Sequence, residues 1–520
     1  MHKIYLVGGA VRDKLLNLEV NDLDYIVETQ KGFTVEETIK EFIKQGYTQV
    51  GKDFPVFLHP ETKDEYALAR TERKVGIGYS GFETIVENVS IEEDLLRRDL
   101  TINSIAYDSE NDIYIEPKGV EALKDIEKQI IRPTSEAFVE DPLRILRLGR
   151  FSAKLPNFLV AYEDIEKILT KEIKKELLTI SKERIFLELK KVLKENQPSR
   201  FFYVLKKLEV LEYVFPDIHK MIGKKQPLKH HSEGDVFEHT MMVLDEVSKL
   251  TEDPKIRFGA LFHDIGKPYS YEKKKKELRE KSLTLEEERK KLEKEKYHGH
   301  SDLDLVKEIM SDYVENGKYT KEYVNFAVKS ATIHHYLHDI EKLSPKKLTK
   351  MFLSNEFFSS REELEELIIV VKADSNGRIF TKSEPEQPLT KLEKKIIRKS
   401  EATTINGIEY KVGSKGEEID YNLIIRLYDY IEKNKEKYQI NKKLIETFKD
   451  ENGKILGTYS SGGKAKKVMD DLMQKGDYPE LTVSMVEEVE VAEKFAGWIA
   501  IYGGKQLEIK KSEADGIWPA

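Results

Sequence analysis

The stretch KIYLVGGAVRDKLLNLEVNDLD, from Lys3 to Asp24, decides how the first part of the chain is read. KIYLV reads as a buried strand that stops at Gly8-Gly9. Glycines behind a strand let backbone N–H groups approach a phosphate, and Arg12 adds a charge-assisted contact. On its own the glycine pair reads first as a tight turn. Asp22-Leu23-Asp24 opens DLDYIVE, a second strand with polar–apolar alternation. Residues i and i+2 of a strand share a face. The two carboxylates are therefore expected side by side, where they repel unless a divalent cation joins them. Mg²⁺ takes carboxylates together with substrate phosphates. Two such ions can activate an attacking hydroxyl and stabilise departing pyrophosphate. An exposed acidic strand end is the alternative for the acidic pair alone. A glycine turn followed by Asp-x-Asp is much harder to obtain by chance.

Outward from that stretch, PVFLH and DEYALAR read as a strand pair, and NSIAYD with DIYIEP as a hairpin around Ser109–Asn111. Val35–Gly46 reads as a helix. Residues 1–135 thus form an α+β head. Arg97-Arg98-Asp99 and Asn103 offer donors for phosphate and ribose, with Asp99 able to accept from a sugar or to orient an arginine. Next comes EDPLRILRLGR, from Glu140 to Arg150. Asp141 before Pro142 is a natural helix start. Asp141, Arg144, Arg147 and Arg150 recur every third residue and wind along one ribbon, while Ile145, Leu148 and Ser152 take another stripe. Such a helix can offer acceptor and donor edges to a base and further arginines to a triphosphate. Solvated arginines on an amphipathic helix are the plainer alternative.

Residues 136–225 carry helical periodicity throughout and read as a neck and body. Pro216-Asp217 and Gly223–Pro227 mark a boundary. A second helical block follows at 230–385, with a charged helical insertion at 272–297 read as solvated. In this block His263-Asp264 sits in ALFHDIGKP. His239 lies upstream, and His298, His300, His334, His335 and Asp374 lie downstream. Imidazoles and carboxylates converging in a bundle core suit a transition metal. A lone buried histidine would be an ordinary core residue; this set is not. Residues 400–520 read as a small α+β domain with glycine turns, and both tryptophans, Trp498 and Trp518, fall there. Nothing in that segment points to a role.

Composition narrows the chemistry. Across 520 residues, three or four domains are expected at roughly 100–200 residues each. Lys+Arg 87 against Asp+Glu 95 leaves a net charge of −8, so a polyanion would need a local basic face. The chain has no cysteine, which removes disulfides, thiolate zinc sites and thiol nucleophiles. No apolar run reaches the roughly 18 residues of a membrane span, and the start does not resemble a signal peptide. A cytoplasmic protein without a membrane partner is expected.

The glycine turn, Asp-x-Asp, Arg-Arg-Asp-x-x-x-Asn and Glu-Asp-x-x-Arg occur in the order and spacing of the class II tRNA nucleotidyltransferases. The chain resembles these CCA-adding enzymes of the polymerase-β-like superfamily over about residues 1–385. Residues Gly51–Phe82 and the His-Asp block resemble the bacterial form that carries an HD domain. The resemblance implies an α+β chain: a polymerase-β-like nucleotidyltransferase head, a mostly helical neck and body, a helical HD domain and the small C-terminal domain. It implies that Asp22 and Asp24 are catalytic and hold Mg²⁺, and that Gly9 and Arg12 contact nucleotide phosphate. Arg98 would bind nucleotide, Asp141 and Arg144 would read the base of CTP or ATP, and Arg147 and Arg150 would contact the incoming nucleotide. Glu183-Arg184 would buttress the neck. The HD ligands map to His239, His263, Asp264 and Asp374, with His300 and His334 matching the extra ligands of two-metal members. In relatives this domain is associated with 2′,3′-cyclic phosphodiesterase, 2′-nucleotidase and phosphatase activities, with nickel (Ni²⁺) favoured for some. Lys267 could meet a phosphate.

The implied partners are the 3′ end of tRNA, CTP and ATP, with basic residues in 182–200 and at Lys206-Lys207 against the acceptor arm. A monomer or a homodimer is expected. The segment at Glu116–Gly119 and Asp125-Ile126 departs from the family's usual hinge spacing. A poly(A) polymerase shares every head motif and is the enzymatic rival. An RNA-binding protein with a degenerate head, and a hydrolase whose head only delivers RNA, are the further alternatives.

Overall fold

The computed structural model describes residues 2–279 apart from Asn21, Lys31, 51–54 and 75–81; beyond these it describes chiefly 303–311, 318–338, 357–382, 387–400 and 402–413, with single positions out to Asp429. His298 and His300, parts of Gly51–Phe82, most of the charged insertion and the tail from 430, with Trp498 and Trp518, lie outside the described residues. The chain divides into two units, Met1–Ile222 and Gly223–Ala520.

In the first unit, β1 (Lys3–Val7) runs into α1 (Gly9–Leu15), then β2 (Asp24–Glu28), α2 (Val35–Lys44), β3 (Thr48–Val50), β4 (Val56–Leu58) and β5 (Glu65–Leu68). β6 (Thr71–Lys74) and β7 (Phe82–Ile85) pair with each other. After α3 (Ile91–Leu96), β8 (Ala106–Asp108) and β9 (Ile113–Ile115) make the expected hairpin. The main sheet has the order β3-β4-β5-β2-β1-β8-β9. β4 and β5 form the expected strand pair, which is antiparallel. Alternation along β2 assigns its faces: Ile26 joins Tyr5, Val7, Leu95 and Ala106, whereas Val27 joins Phe42, Phe57 and Leu68. The start of α2 is closed by a reciprocal cap in which Glu37 N donates to Thr34 Oγ1 and Thr34 N donates to the Glu37 carboxylate.

Behind the sheet come α4 (Ala122–Lys128), β10 (Ile130–Ile131), α5 (Leu143–Lys154) and β11 (Leu159–Val160). α6 (Tyr162–Ile168), α7 (Lys171–Glu176), α8 (Lys182–Val192), α9 (Ser199–Lys207), α10 (Leu211–Val214) and α11 (Pro216–His219) complete the unit. α5 packs on α8 and α9. Ile145, Leu148 and Ser152 are buried, as the stripe on this helix predicts. Phe201, Phe202 and Phe215 form an edge-on aromatic core, with Gly149 giving Phe201 room.

The second unit is helical: α12 (Val236–Leu250), α13 (Pro254–Phe262), α14 (Lys267–Arg279), α15 (Leu303–Ser311), α16 (Lys318–His338) and α17 (Arg361–Asn376). α12, α13, α16 and α17 pack on one another. α13 and α16 come so close that a Cβ on Gly259 would stand 2.6 Å from Phe326 Cε1 and Ser330 Oγ. β12 (Ile379–Thr381), α18 (Lys391–Ser400), β13 (Ala402–Ile405) and β14 (Ile408–Val412) follow. The sheet order β12-β14-β13 joins residues on both sides of the gap expected between 385 and 400. Ile379, Leu389, Ile397 and Tyr410 bury themselves together with Met242 of α12, so this apolar cluster ties the start of the tail to the helices. Asn406 and Gly407, both at positive φ, make the tight β13–β14 turn. Among the described residues no helix is long and apolar enough to cross a membrane.

Candidate functional site

The antiparallel register places Val7 opposite Asp24, so the turn after β1 meets the start of β2. Gly8 turns the chain at φ +67°, and a Cβ there would lie 3.1 Å from an Arg98 guanidinium nitrogen. Glycine answers both demands. The turn borders a cavity of about 500 Å³ lined by Gly9, Arg12, Asp24, Arg98, Asp141, Arg144, Arg147 and Arg150. Asp22 is not in the lining. It stands exposed two residues before the first residue of β2, close enough to Asp24 to act on its charge. Asp24 is open to the cavity, yet desolvation by its walls raises its carboxyl. Asp22 and Asp64 add to that rise, and Arg98 opposes it. Such a carboxylate gains from a nearby cation. Asp64 carries no sequence motif; the parallel pairing of β2 with β5 brings it close.

The arginines are tied down from behind. Arg12 is buried, donates to Asp13 at 2.8 Å and to Asn103 Oδ1 at 2.5 Å, and lies over the Phe151 ring. Asn103 donates to Asp99 Oδ1 at 3.2 Å, and Arg147 Nε donates to Asp99 Oδ2 at 2.6 Å. Asp99 therefore orients an arginine, one of its two expected roles. Burial alone would raise its carboxyl, but Arg147, Asn103 and the Leu100 N–H outweigh burial and hold it below the ordinary value. Arg98 shares the buried Asp94 with Arg97. Arg150 Nε donates to Glu188 at 2.8 Å, and its guanidinium also faces Phe151 at 4.4 Å.

Asp141 starts α5 as the sequence suggests: its Oδ1 accepts from Leu143 N at 3.0 Å. Its other oxygen lies 3.7 Å from Arg184. Arg144 is buried and donates to the Ala137 carbonyl at 3.0 Å. The three-residue recurrence does bring Asp141, Arg144, Arg147 and Arg150 to one cavity. Arg147 and Arg150 are not loose charges, however; each guanidinium is aimed by a partner carboxylate. Asp94, Glu188 and Phe151 were not legible as site residues, because their partners are distant in sequence or hidden in an apolar pattern. At the altered hinge, Glu116 accepts from Leu123 N at 2.7 Å, and Asp125 accepts from Thr101 at 2.7 Å.

In the second unit His239 of α12, His263 at the end of α13, Asp264, His334 of α16 and Asp374 of α17 are all buried. His239 Nε2 lies 3.0 Å from Asp374 Oδ1, 3.7 Å from Asp264 Oδ2 and 3.4 Å from His263 Nε2. His334 Nε2 lies 3.7 Å from Asp264 Oδ1. The opposite ring nitrogens face acceptors: His263 Nδ1 the Ala260 carbonyl at 2.7 Å, His334 Nδ1 the Ser330 carbonyl at 2.7 Å, and His239 Nδ1 Glu233 Oε1 at 3.0 Å. A carbonyl or an ionised carboxylate can only accept, so the proton belongs on each Nδ1. Burial lowers His239, but Asp374 at its Nε2 and Glu233 at its Nδ1 outweigh burial and hold it above the ordinary imidazole value, so a metal would take the place of its Nε2 proton. Both carboxylates stay ionised. Burial would raise them, but Lys267 and His263 hold Asp264 well below the ordinary range, as Arg378 and His338 hold Asp374. Lys267 Nζ stands 2.6 Å from Asp264 Oδ2, yet neither Asp264 oxygen accepts a well-directed hydrogen bond. Ionised carboxylate oxygens and imidazole nitrogens gathered in one buried cluster fit a divalent transition metal. The residues that sequence reasoning did not single out are His231, Glu233, His338 and Arg378. His338, one helical turn beyond His334, was the most findable; its Nε2 lies 2.6 Å from Asp374 Oδ2.

Comparison with known proteins agrees with this division. Residues 4–132 match the family described as the poly A polymerase head domain, 166–222 a probable RNA and SrmB-binding site of polymerase A, and 236–379 the HD domain. A solved CCA-adding enzyme in apo form I is 20% identical, covers 94% of this chain and 90% of its own, and has a TM-score of 0.42. The CCA-adding enzyme of Bacillus stearothermophilus in complex with CTP is 19% identical, covers 84% of this chain and 95% of its own, and has a TM-score of 0.37. At those scores neither bears on individual positions. A multifunctional CCA protein of Vibrio campbellii is 39% identical over 386 residues, covering 74% of this chain and 87% of that relative. With identity of that level over that share of both chains, the chain belongs to the multifunctional CCA protein family.

Proposed function

We propose that this enzyme adds and repairs the 3′-terminal CCA of tRNA from CTP and ATP without a nucleic-acid template, and hydrolyses phosphate esters at its HD centre. One observation carries the first activity: a single cavity holds Asp24, the glycine turn and the aimed arginines of α5. Asp22 and Asp24 would hold Mg²⁺, which supplies charge to activate the attacking hydroxyl and to offset the leaving pyrophosphate. Gly9 and Arg12 border the side on which phosphates would lie, and Arg98 lines the same cavity as Asp24. Arg147 and Arg150, aimed by Asp99 and Glu188, present fixed donors to the triphosphate. Asp141 and Arg144, at the rigid start of α5, read the base. A carboxylate accepts from the exocyclic amine that C and A share, which G and U do not offer in the same position. The basic faces of 182–200 and Lys206-Lys207 would meet the tRNA acceptor arm.

At the second centre His239, His263, Asp264 and Asp374 would hold a transition metal, nickel among the candidates, and His334 is positioned to share in it. The metal would polarise a phosphoryl oxygen. The substrates that suit this centre are 2′,3′-cyclic phosphodiesters and phosphomonoesters at RNA ends. Activity in the cytoplasm, as a monomer or a homodimer, completes the reading. The deciding assay supplies a tRNA that lacks its end with each nucleoside triphosphate. Addition that stops after C, C and A supports the proposal; open-ended addition of A assigns the chain to poly(A) synthesis instead.

A further inference from the structure

His231 and Glu233 lie just before the segment that matches the HD domain, which begins at residue 236. Glu233 is almost completely buried, at 1% exposure. A buried carboxylate is expensive unless donors surround it. Glu233 Oε1 faces both His231 Nδ1 at 2.9 Å and His239 Nδ1 at 3.0 Å, and Oε2 accepts from the Ile379 N–H at 3.0 Å. The main chain of the same residue is held as well: Lys394 Nζ of α18 donates to the Glu233 carbonyl at 2.8 Å and to Glu238 at 3.1 Å. One side chain thus links the HD centre to β12, and its backbone links the centre to a helix beyond the matched segment.

The three inward-facing imidazoles are not equivalent. His263 and His334 each hand Nδ1 to a carbonyl of their own helix, a neutral partner that comes with helical geometry. Of the three, only His239 hands Nδ1 to a carboxylate, and that carboxylate comes from the loop that leads into α12 rather than from the helix itself. A carboxylate behind an imidazole fixes the ring's orientation and tautomer and strengthens the opposite nitrogen as a metal ligand. Of His239 and His263, His239 also brings its Nε2 nearer to Asp374 Oδ1, at 3.0 Å against 3.9 Å.

We infer that Glu233, anchored through its main chain by Lys394, is the positioning residue of the HD metal centre, making His239 its strongest imidazole ligand. The inference rests on the metal-binding reading of that centre. On this reading α18 serves to hold the Glu233 loop against α12.

The test is Ni²⁺ binding by the full chain, measured by competition with a chromogenic chelator, beside the thermal melt of the metal-free protein. Glu233→Gln keeps the shape but presents an amide N–H₂ where an acceptor is needed. Its Ni²⁺ affinity should fall about 10- to 100-fold, the range seen when such partners are removed, and the rise in melting temperature on adding Ni²⁺ should shrink with it. Lys394→Met, at the rim of the site, should weaken Ni²⁺ binding by a smaller factor and decides the matter if Glu233→Gln does not fold. Parent-like Ni²⁺ affinity in a folded Glu233→Gln overturns the inference, as does parent-like affinity in Lys394→Met when that variant has to decide. No Ni²⁺ binding by the parent overturns instead the metal reading beneath it.

Discussion

In the first unit arginines face an open cavity; in the second, imidazoles face a closed centre. The arginines each carry a fixed positive charge, and internal carboxylates hold them in place: Asp99 aims Arg147 and Glu188 aims Arg150. The cavity can therefore receive a polyanionic nucleotide without rearranging its charges, the condition for preorganised stabilisation. In the HD centre the polarity is reversed. Ionised aspartates and imidazole nitrogens converge on one buried point, and Asp264 has oxygens with no directed hydrogen bond. That arrangement awaits positive charge. On the proposed reading, one chain would keep two phosphate chemistries apart by ligand type, hard carboxylates in the head and imidazole-rich ligands in the HD domain.

The strongest way to break this contrast is Asp24→Ala. Losing metal-borne charge stabilisation of several kcal/mol should lower incorporation of both C and A at least about a thousandfold. The fold should survive, since the change relieves repulsion from Asp22 and Asp64. Near-parental incorporation by this variant would remove Asp24 from the metal site.

Asp264→Ala probes the other half. Cyclic phosphodiesterase and phosphatase activity should drop below detection, while CTP and ATP incorporation stays largely intact. Because a metal can also tie a helical bundle together, a thermal melt belongs beside both assays. Loss of both activities in a variant that melts like the parent would dissolve the two-site contrast.

Asp141→Ala and Arg144→Ala sharpen the first site. Each should cost about 1–3 kcal/mol of discrimination between correct and incorrect bases, by analogy with paired base contacts. Misincorporation of G or U onto tRNA that still binds is the expected signature. Asp141→Ala also loses the bond to Leu143 N, a helix cap worth about 0.5–2 kcal/mol of stability. Complete loss of activity with unchanged base preference would give this helix start a structural role alone.

The smallest effect is on acid stability. Asp99 is held below its ordinary value in the fold, so the stability it contributes is present above the unfolded carboxylate value near 4 and is lost as pH falls through the lower folded value. Asp99→Asn should therefore flatten the acid limb of a stability–pH curve for the first unit. An unchanged acid limb would mean that Arg147 is not aimed by this charge.

Much of this was legible because it is local. The β8–β9 hairpin, the β4–β5 pair, the helix at Val35 and the cap at Asp141 each follow from patterns inside a short window. The recurrence of Asp141, Arg144, Arg147 and Arg150 put them along one ribbon of a helix, and all four line one cavity. Strand alternation could not place Asp22, because β2 begins only at Asp24. Local patterns also suggested a break between 385 and 400, where Ile379 and Tyr410 share one buried cluster with Met242.

The chain order of residue types by itself determined that there is a head with a glycine turn and clustered arginines, a helical block rich in residues able to hold a metal, and no thiol chemistry. Only the tertiary structure decided who holds what: Asp99 behind Arg147 across 48 positions, Glu188 behind Arg150 across 38, and Glu233 behind His239 with its other oxygen on Ile379, 146 positions away. The physical reason is range. Periodicity, capping and turn chemistry act between near neighbours. The partner of a buried charge is chosen by which apolar surfaces close over it, and that choice exists only once distant segments have packed together.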